Sequence, residues 1–154
     1  MEKRNILFVM SSLRNGGAER SLVNLLQLLD YDRYNVDLLL FQNEGMFLKQ
    51  VPKEVNIISN CNKLYTLYDN NKTEALKHPY LSVVHMIGTF ISRKKTNSVA
   101  KSRQYRWEHF YKKIIPELTK EYDVAIAYMQ REQTYFLVDK VKATKKIAWV
   151  HNEY

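Results

Sequence analysis

Ile6-Leu7-Phe8-Val9-Met10-Ser11-Ser12-Leu13-Arg14-Asn15-Gly16-Gly17-Ala18-Glu19-Arg20 is the stretch that decides the architecture. Five apolar residues run into a polar loop, and two adjacent glycines open a segment with apolar side chains at Ala18, Leu22, Leu25, Leu26 and Leu29. That recurrence is the stripe of an amphipathic helix, with Arg20, Asn24 and Gln27 on its other face. A helix start presents unpaired backbone N–H groups and the positive end of the helix dipole. Gly16 and Gly17 carry no Cβ to hold an anion away from them. Two readings stand side by side, a phosphate site at this turn or a tight connection in an open α/β sheet. The spacing is not G-x-G-x-x-G, which disfavours a dinucleotide-dependent oxidoreductase, and no Gly-Lys-Ser/Thr follows, which disfavours a P-loop. Glu19 favours the positive helix start, and Arg20 reads either as charge near a phosphate or as a solvated helix-face residue.

Working outward, residues 34–41 read as a second strand, and the nearly continuous apolar run 36–41 suits a strand covered on both faces. A third short strand, 55–58, follows Pro52, and the polar, asparagine-rich segment 59–73 reads as a connecting loop. Residues 81–91 form an apolar helical stretch that passes into 93–106, where six basic residues occur with no acidic one; that basic segment reads as a loop. A helical pattern resumes over 107–118, with Pro116 loosening its last turn. A fourth strand at 122–128, a short helix at 134–141 and a fifth strand at 145–150 complete the pattern. Alternating strands and helices predict an α/β, Rossmann-like fold, a mostly parallel sheet flanked by helices. Ligands of such sheets bind beyond the carboxyl ends of the strands, near the switch in strand order. Residues 11–17, 129–132 and 151–152 share that rim.

The length of 154 residues fits one domain, with an ordinary hydrophobic fraction of 45%. A net charge of +8 favours anionic partners. The single cysteine, Cys61, excludes a disulfide within the chain and suits a reducing compartment. His78, His85, His109 and His151 show no metal-ligand spacing with it, so no metal is expected. The apolar run near the N-terminus is shorter than a signal core, and no segment approaches the ~20 apolar residues of a membrane span. The expected location is cytoplasmic, with peripheral contact at the inner membrane face. An alternative is a basic, non-enzymatic α/β module that binds anionic lipid or nucleic acid. Tyr105 and Trp107 lie among basic residues as stacking platforms do, yet no nucleic-acid motif accompanies them, which disfavours nucleic acid.

Taken in order, these pieces resemble the N-terminal half of a family 4 glycosyltransferase, a family of two-domain GT-B architecture. The resemblance rests on Ile6-Leu7-Phe8-Val9 leading to Gly16-Gly17-Ala18-Glu19-Arg20, on Tyr34-Asn35-Val36-Asp37-Leu38-Leu39, on Tyr122-Asp123-Val124-Ala125-Ile126-Ala127-Tyr128, and on Ile147-Ala148-Trp149-Val150-His151-Asn152. It implies a retaining transfer of sugar from a nucleotide-sugar donor to a glycan or lipid-linked acceptor in polysaccharide or glycolipid biosynthesis, with no cofactor beyond the co-substrate. Gly16 and Gly17 match the loop that approaches the donor diphosphate. His151 matches the active-site histidine; by residue type alone it is an exposed strand-end histidine. The resemblance makes residues 1–154 an incomplete, acceptor-side N-terminal domain of the GT-B pair. The donor-binding C-terminal domain with its E-x7-E carboxylates is absent, so the isolated chain is expected to be inactive and a C-terminal-half polypeptide is an expected partner. Residues 81–91, followed by Arg93, Lys94, Lys95, Lys101, Arg103 and Arg106, suit contact with an anionic membrane surface. Each basic residue there contributes on the order of 1 kcal/mol.

Overall fold

The first strand, β1 (Arg4–Met10), lies at the centre of a five-stranded sheet and is flanked on both edges by parallel partners. The computed structural model describes residues 2–58, 67 and 78–151. The expectations for 59–73 other than Leu67, for Cys61 and for Asn152 lie outside the described residues. Along the chain, β1 is followed by α1 (Gly17–Leu28), β2 (Tyr34–Leu40), β3 (Asn56–Ile58), α2 (Pro79–Lys95) and α3 (Val99–Arg106). Helix α3 continues through a π-helical turn, Trp107–Tyr111, and a last turn, Lys112–Ile114. Then come β4 (Glu121–Ala127), α4 (Glu132–Lys140) and β5 (Lys142–Ala148). The strand order is β3-β2-β1-β4-β5, and every neighbouring pair is parallel.

Local chemistry accounts for the elements. Leu7, Phe8, Val9 and Met10 are all buried, as a central parallel strand requires. Helix α1 buries Leu22, Val23 and Leu26 and leaves Arg20, Asn24 and Gln27 exposed, so its stripe lies where the spacing predicts. It stops at Leu29, where the backbone turns extended, and the Asp30 side chain accepts from the Asp32 amide to turn the chain into β2. Pro79 opens α2, where its missing N–H costs nothing. Ile115 is extended because Pro116 follows, so the helix ends at Ile114, four residues before the end of the 107–118 pattern.

The sheet separates two apolar cores. On one face α1 packs Leu22, Val23 and Leu26 against Phe8, Met10, Val36, Leu38 and Leu40. On the other, Trp107, Tyr111, Phe136 and Leu137 pack against Leu7, Val9, Leu39 and Ala125. β5 is an edge strand, largely exposed, with Ile147 and Trp149 partly in solvent.

Two expectations need correction. Residues 93–106 are not a loop: the basic residues sit on the last turn of α2 and along α3. Trp107 is not a stacking platform, because it is 1% exposed and donates its indole N–H to Asp139 at 2.6 Å. Tyr105 stacks on His109 instead, at 3.9 Å between ring centroids.

One buried polar residue inside the apolar run 36–41 ties three strands together. Asp37 is 3% exposed and accepts from Tyr122 at 2.7 Å, Lys120 at 2.9 Å and Asn56 at 2.9 Å. Burial pushes its carboxyl upward, but the hydrogen bonds from Lys120, Asn56 and Tyr122 outweigh that and hold it below the ordinary value. Since the folded carboxyl is depressed, its stabilising contribution is present above the unfolded value near pH ~4 and is lost as pH falls below it. Asp37→Ala is expected to cost about 1–3 kcal/mol at pH 7, because it strands the buried Tyr122 hydroxyl, and less at pH 3. Denaturant melts of wild type and variant at the two pH values check this; an equal difference at both contradicts it.

Candidate functional site

The strand order reverses between β1 and β4, and a cavity of about 740 Å³ lies at that point beyond their carboxyl ends. Its walls come from the β1–α1 loop (Ser11, Ser12, Arg14), from Glu19 in the first turn of α1, from the β4–α4 turn (Met129, Gln130, Arg131) and from α2 and α3. The volume suits a small organic ligand.

The β1–α1 loop is held in place by the segment that follows β2. The Leu13 amide donates to the Glu44 carbonyl at 3.0 Å, and the Phe47 amide donates to the Leu13 carbonyl at 3.1 Å. Arg14 reinforces the junction by donating its Nε–H to the Glu44 carboxylate at 2.8 Å. Gly45 makes this possible: its φ is +127°, and a Cβ there would overlap the Leu13 backbone. The sequence reading passed over Gly45, which sits in no recognisable motif; the turn signal Asn43-Glu44-Gly45 after a strand is the clue it offers.

At Gly16 and Gly17 the fold itself makes little demand for glycine. Neither has a positive φ. A Cβ on Gly17 would meet nothing within 4 Å, so the first residue of α1 faces open space. The nearest atoms a Cβ on Gly16 would meet belong to the Glu19 carboxylate, the movable end of a flexible side chain. Glu19 thus lies across the start of α1, where a carboxylate complements the dipole. Arg20 is exposed on α1 and does not line the cavity.

His151 is brought to the same edge of the sheet but not to the cavity wall. The Trp149 amide pairs with the Ala127 carbonyl at 2.8 Å, which carries the chain past β4. The His151 ring then packs 4.9 Å from Tyr128 and 6.0 Å from Trp149. Its amide reaches the Gln130 side chain at 3.5 Å, and Gln130 lines the cavity. The His151 Nε2 is buried and has no hydrogen-bond partner among the described residues.

The six basic residues divide by type. Arg93, Arg103 and Arg106 line the cavity, whereas Lys94, Lys95 and Lys101 stay exposed outside it. Arg106 is half-buried: its Nη1 donates to Ser102 at 3.1 Å and to Ser92 at 3.3 Å, and the Ser102 hydroxyl donates to Ser92 at 2.8 Å. Beside it, His85 shares a 2.9 Å hydrogen bond with the Tyr111 hydroxyl. Burial holds His85 below its ordinary value, the Arg106 charge adds to this, and only a backbone hydrogen bond at Leu67 opposes it. Burial pushes the Tyr111 hydroxyl up to about 12. Both shifts favour the neutral ring, and the arginines bring the positive charge to this end of the cavity. Trp107 and Tyr111, four residues apart on the π-helical turn, both face inward.

Arg131 at the rim has φ +81°, the only positive φ outside glycine among the described residues, and it precedes the first turn of α4. Such a backbone costs on the order of 1–3 kcal/mol. No three His, Cys, Asp or Glu side chains gather as a metal site among the described residues. Gly45→Ala is expected to lower stability by about 1–3 kcal/mol and to displace the β1–α1 loop, seen as amide shift changes at Leu13 and Arg14. A fully stable Gly45→Ala protein with unchanged loop amides contradicts this account of the loop. No protein-family model matches this chain, and no curated protein matches it, so the reading of the site rests on its geometry.

Proposed function

We propose that this chain is the N-terminal domain of a retaining glycosyltransferase of the family 4 type, serving transfer from a nucleotide-sugar to a glycan or lipid-linked acceptor. The observation that carries the reading is the arginine-lined cavity at the β1–β4 switch, with the open start of α1 and His151 on the same edge of the sheet. A diphosphate leaving group gathers negative charge as the sugar departs, and fixed backbone donors at a helix start stabilise that charge without reorganising. The Glu19 side chain, which lies over Gly16, has to swing aside for such a group to approach.

The test mixes the chain with the donor-binding C-terminal domain of a family 4 enzyme and follows nucleotide release from uridine- and guanosine-diphosphate sugars. Release is expected only when both are present. Gly17→Val adds a side chain where the fold has free space, so it is expected to keep the melting temperature while cutting release at least about tenfold. Absence of release with every donor, or full release by the variant, contradicts the proposal.

A second reading, peripheral binding to an anionic membrane, has its own support in α2. Among the described residues, Tyr80, Val83, Met86, Ile87 and Phe90 of that helix are exposed, Met86 and Phe90 each at 62%. Lys94 lies 4.5 Å from the Phe90 ring centroid, which places a cation at the end of this apolar face. No helix among the described residues is long and apolar enough to cross a membrane, so contact of this kind is at the surface. Met86→Ser/Phe90→Ser is expected to reduce sedimentation with phosphatidylglycerol vesicles several-fold. Equal sedimentation with anionic and neutral vesicles counts against it.

A further inference from the structure

The end of the cavity formed by α2 and α3 holds more positive charge than the protein itself compensates. Five arginines line the cavity, at positions 14, 93, 103, 106 and 131, against two carboxylates, Glu19 and Glu132. Arg14 is taken up by Glu44, and Arg103 reaches Glu132 only at 3.3 Å. Arg93 and Arg106 have no carboxylate partner among the described residues. Arg106 is the more telling of the two. A half-buried guanidinium whose Nη1 bonds are to serine hydroxyls keeps its full charge, because neutral acceptors do not cancel it. Its Nε is buried without a hydrogen-bond partner among the described residues, and so is the Thr89 hydroxyl on the adjacent turn of α2. Buried donors are normally satisfied, and a charge left in this state calls for a negatively charged guest.

We infer that this end of the cavity binds a phosphate group, held by Arg93, Arg103 and Arg106. The choice of arginine over lysine fits that chemistry. All three arginines of the basic segment face the cavity while all three lysines stay outside. A guanidinium offers paired N–H donors that match two phosphate oxygens, whereas an ammonium offers only a point charge. The first turn of α4 also contributes to the wall through Glu132 and Gln133, and its amides add positive potential. This site is made by α2, α3 and α4, not by the start of α1. It therefore stands whether or not the chain serves glycosyl transfer, and it assigns the acceptor side of that reaction a phosphorylated substrate if it does. A soluble phosphorylated glycan and a lipid headgroup both present this group.

The experiment uses the chain alone, with inorganic pyrophosphate as the probe, titrated calorimetrically at low salt. Binding is expected, weakened about tenfold or more by Arg93→Gln/Arg103→Gln and less than about twofold by Lys94→Gln/Lys95→Gln, which removes the same formal charge. Arg106→Lys keeps the charge but loses the fork and is also expected to weaken binding about tenfold. Melting temperatures accompany every variant, and the exposed positions Arg93 and Lys94 keep the comparison valid even if Arg106→Lys fails to fold. A second arm sediments the protein with phosphatidylcholine vesicles with and without phosphatidic acid. Arginine-dependent sedimentation that pyrophosphate displaces assigns the phosphate to a lipid headgroup, and pyrophosphate binding without sedimentation assigns it to a soluble ligand. No pyrophosphate binding, or equal losses in the arginine and lysine variants, overturns the inference.

Discussion

β1 is paired in parallel on both edges and buried on both faces, and the rest of the molecule is placed by that constraint. A strand in this position needs a helix on each side of the sheet, which α1 provides on one face and α2 to α4 provide on the other. It also forces the chain to move outward twice, first through β2 to β3 and then back across to β4 and β5. Two loops leaving adjacent strands in opposite directions open a crevice between them. The cavity at Ser11, Ser12 and Gln130 is that crevice.

What turns a topological crevice into a chemically distinct site is the way its walls are fixed. Gly45 lets the segment after β2 lie against the Leu13 backbone, so the β1–α1 loop is hydrogen-bonded in position instead of being free to close over the crevice. On the opposite wall, Asp139 receives hydrogen bonds from Trp107 and from Lys112, both at 2.6 Å, and so ties the continuation of α3 to α4. That link, with the buried Trp107 and Tyr111 behind it, presents Arg103 and Arg106 to the cavity from a packed base. Positioning from packed elements is what gives an anion site selectivity over a diffuse basic surface.

The sequence made the sheet legible because each of its central strands is a compact apolar run between turn residues. β1 carries a continuous apolar run from Ile6 to Met10, the run in β2 is broken only by Asp37, and the helical stripe from Ala18 to Leu29 has one buried face. The rim segments after β1 and β4 were equally legible, since their meeting follows from parallel topology. Three features were not. Asp37 sits in the middle of an apolar run, and its role depends on Tyr122 and Lys120, more than eighty residues away in sequence, as its separations of 85 and 83 residues record. The basic segment 93–106 contains few apolar residues, so helical periodicity gave no signal, and its helices are set by tertiary packing of Ser92 and Ser102 around Arg106. The division of arginines from lysines could be seen only once those residues were on helices, because in a loop all six have the same status. His151 was placed at the right edge, yet its packing against Tyr128 and Trp149 sets it behind Gln130 and away from the cavity wall.

The crevice at the β1–β4 switch is, on this inference, an anion site built from the arginines of α2 and α3. Crystals grown in the presence of tungstate, a heavy-atom analogue of phosphate, test it most directly through the anomalous signal of tungsten. The strongest peak is expected inside the cavity, within hydrogen-bonding distance of Arg93, Arg103 or Arg106. Tungsten found only on the exposed Lys94, Lys95 and Lys101, with the cavity lacking any peak, contradicts it.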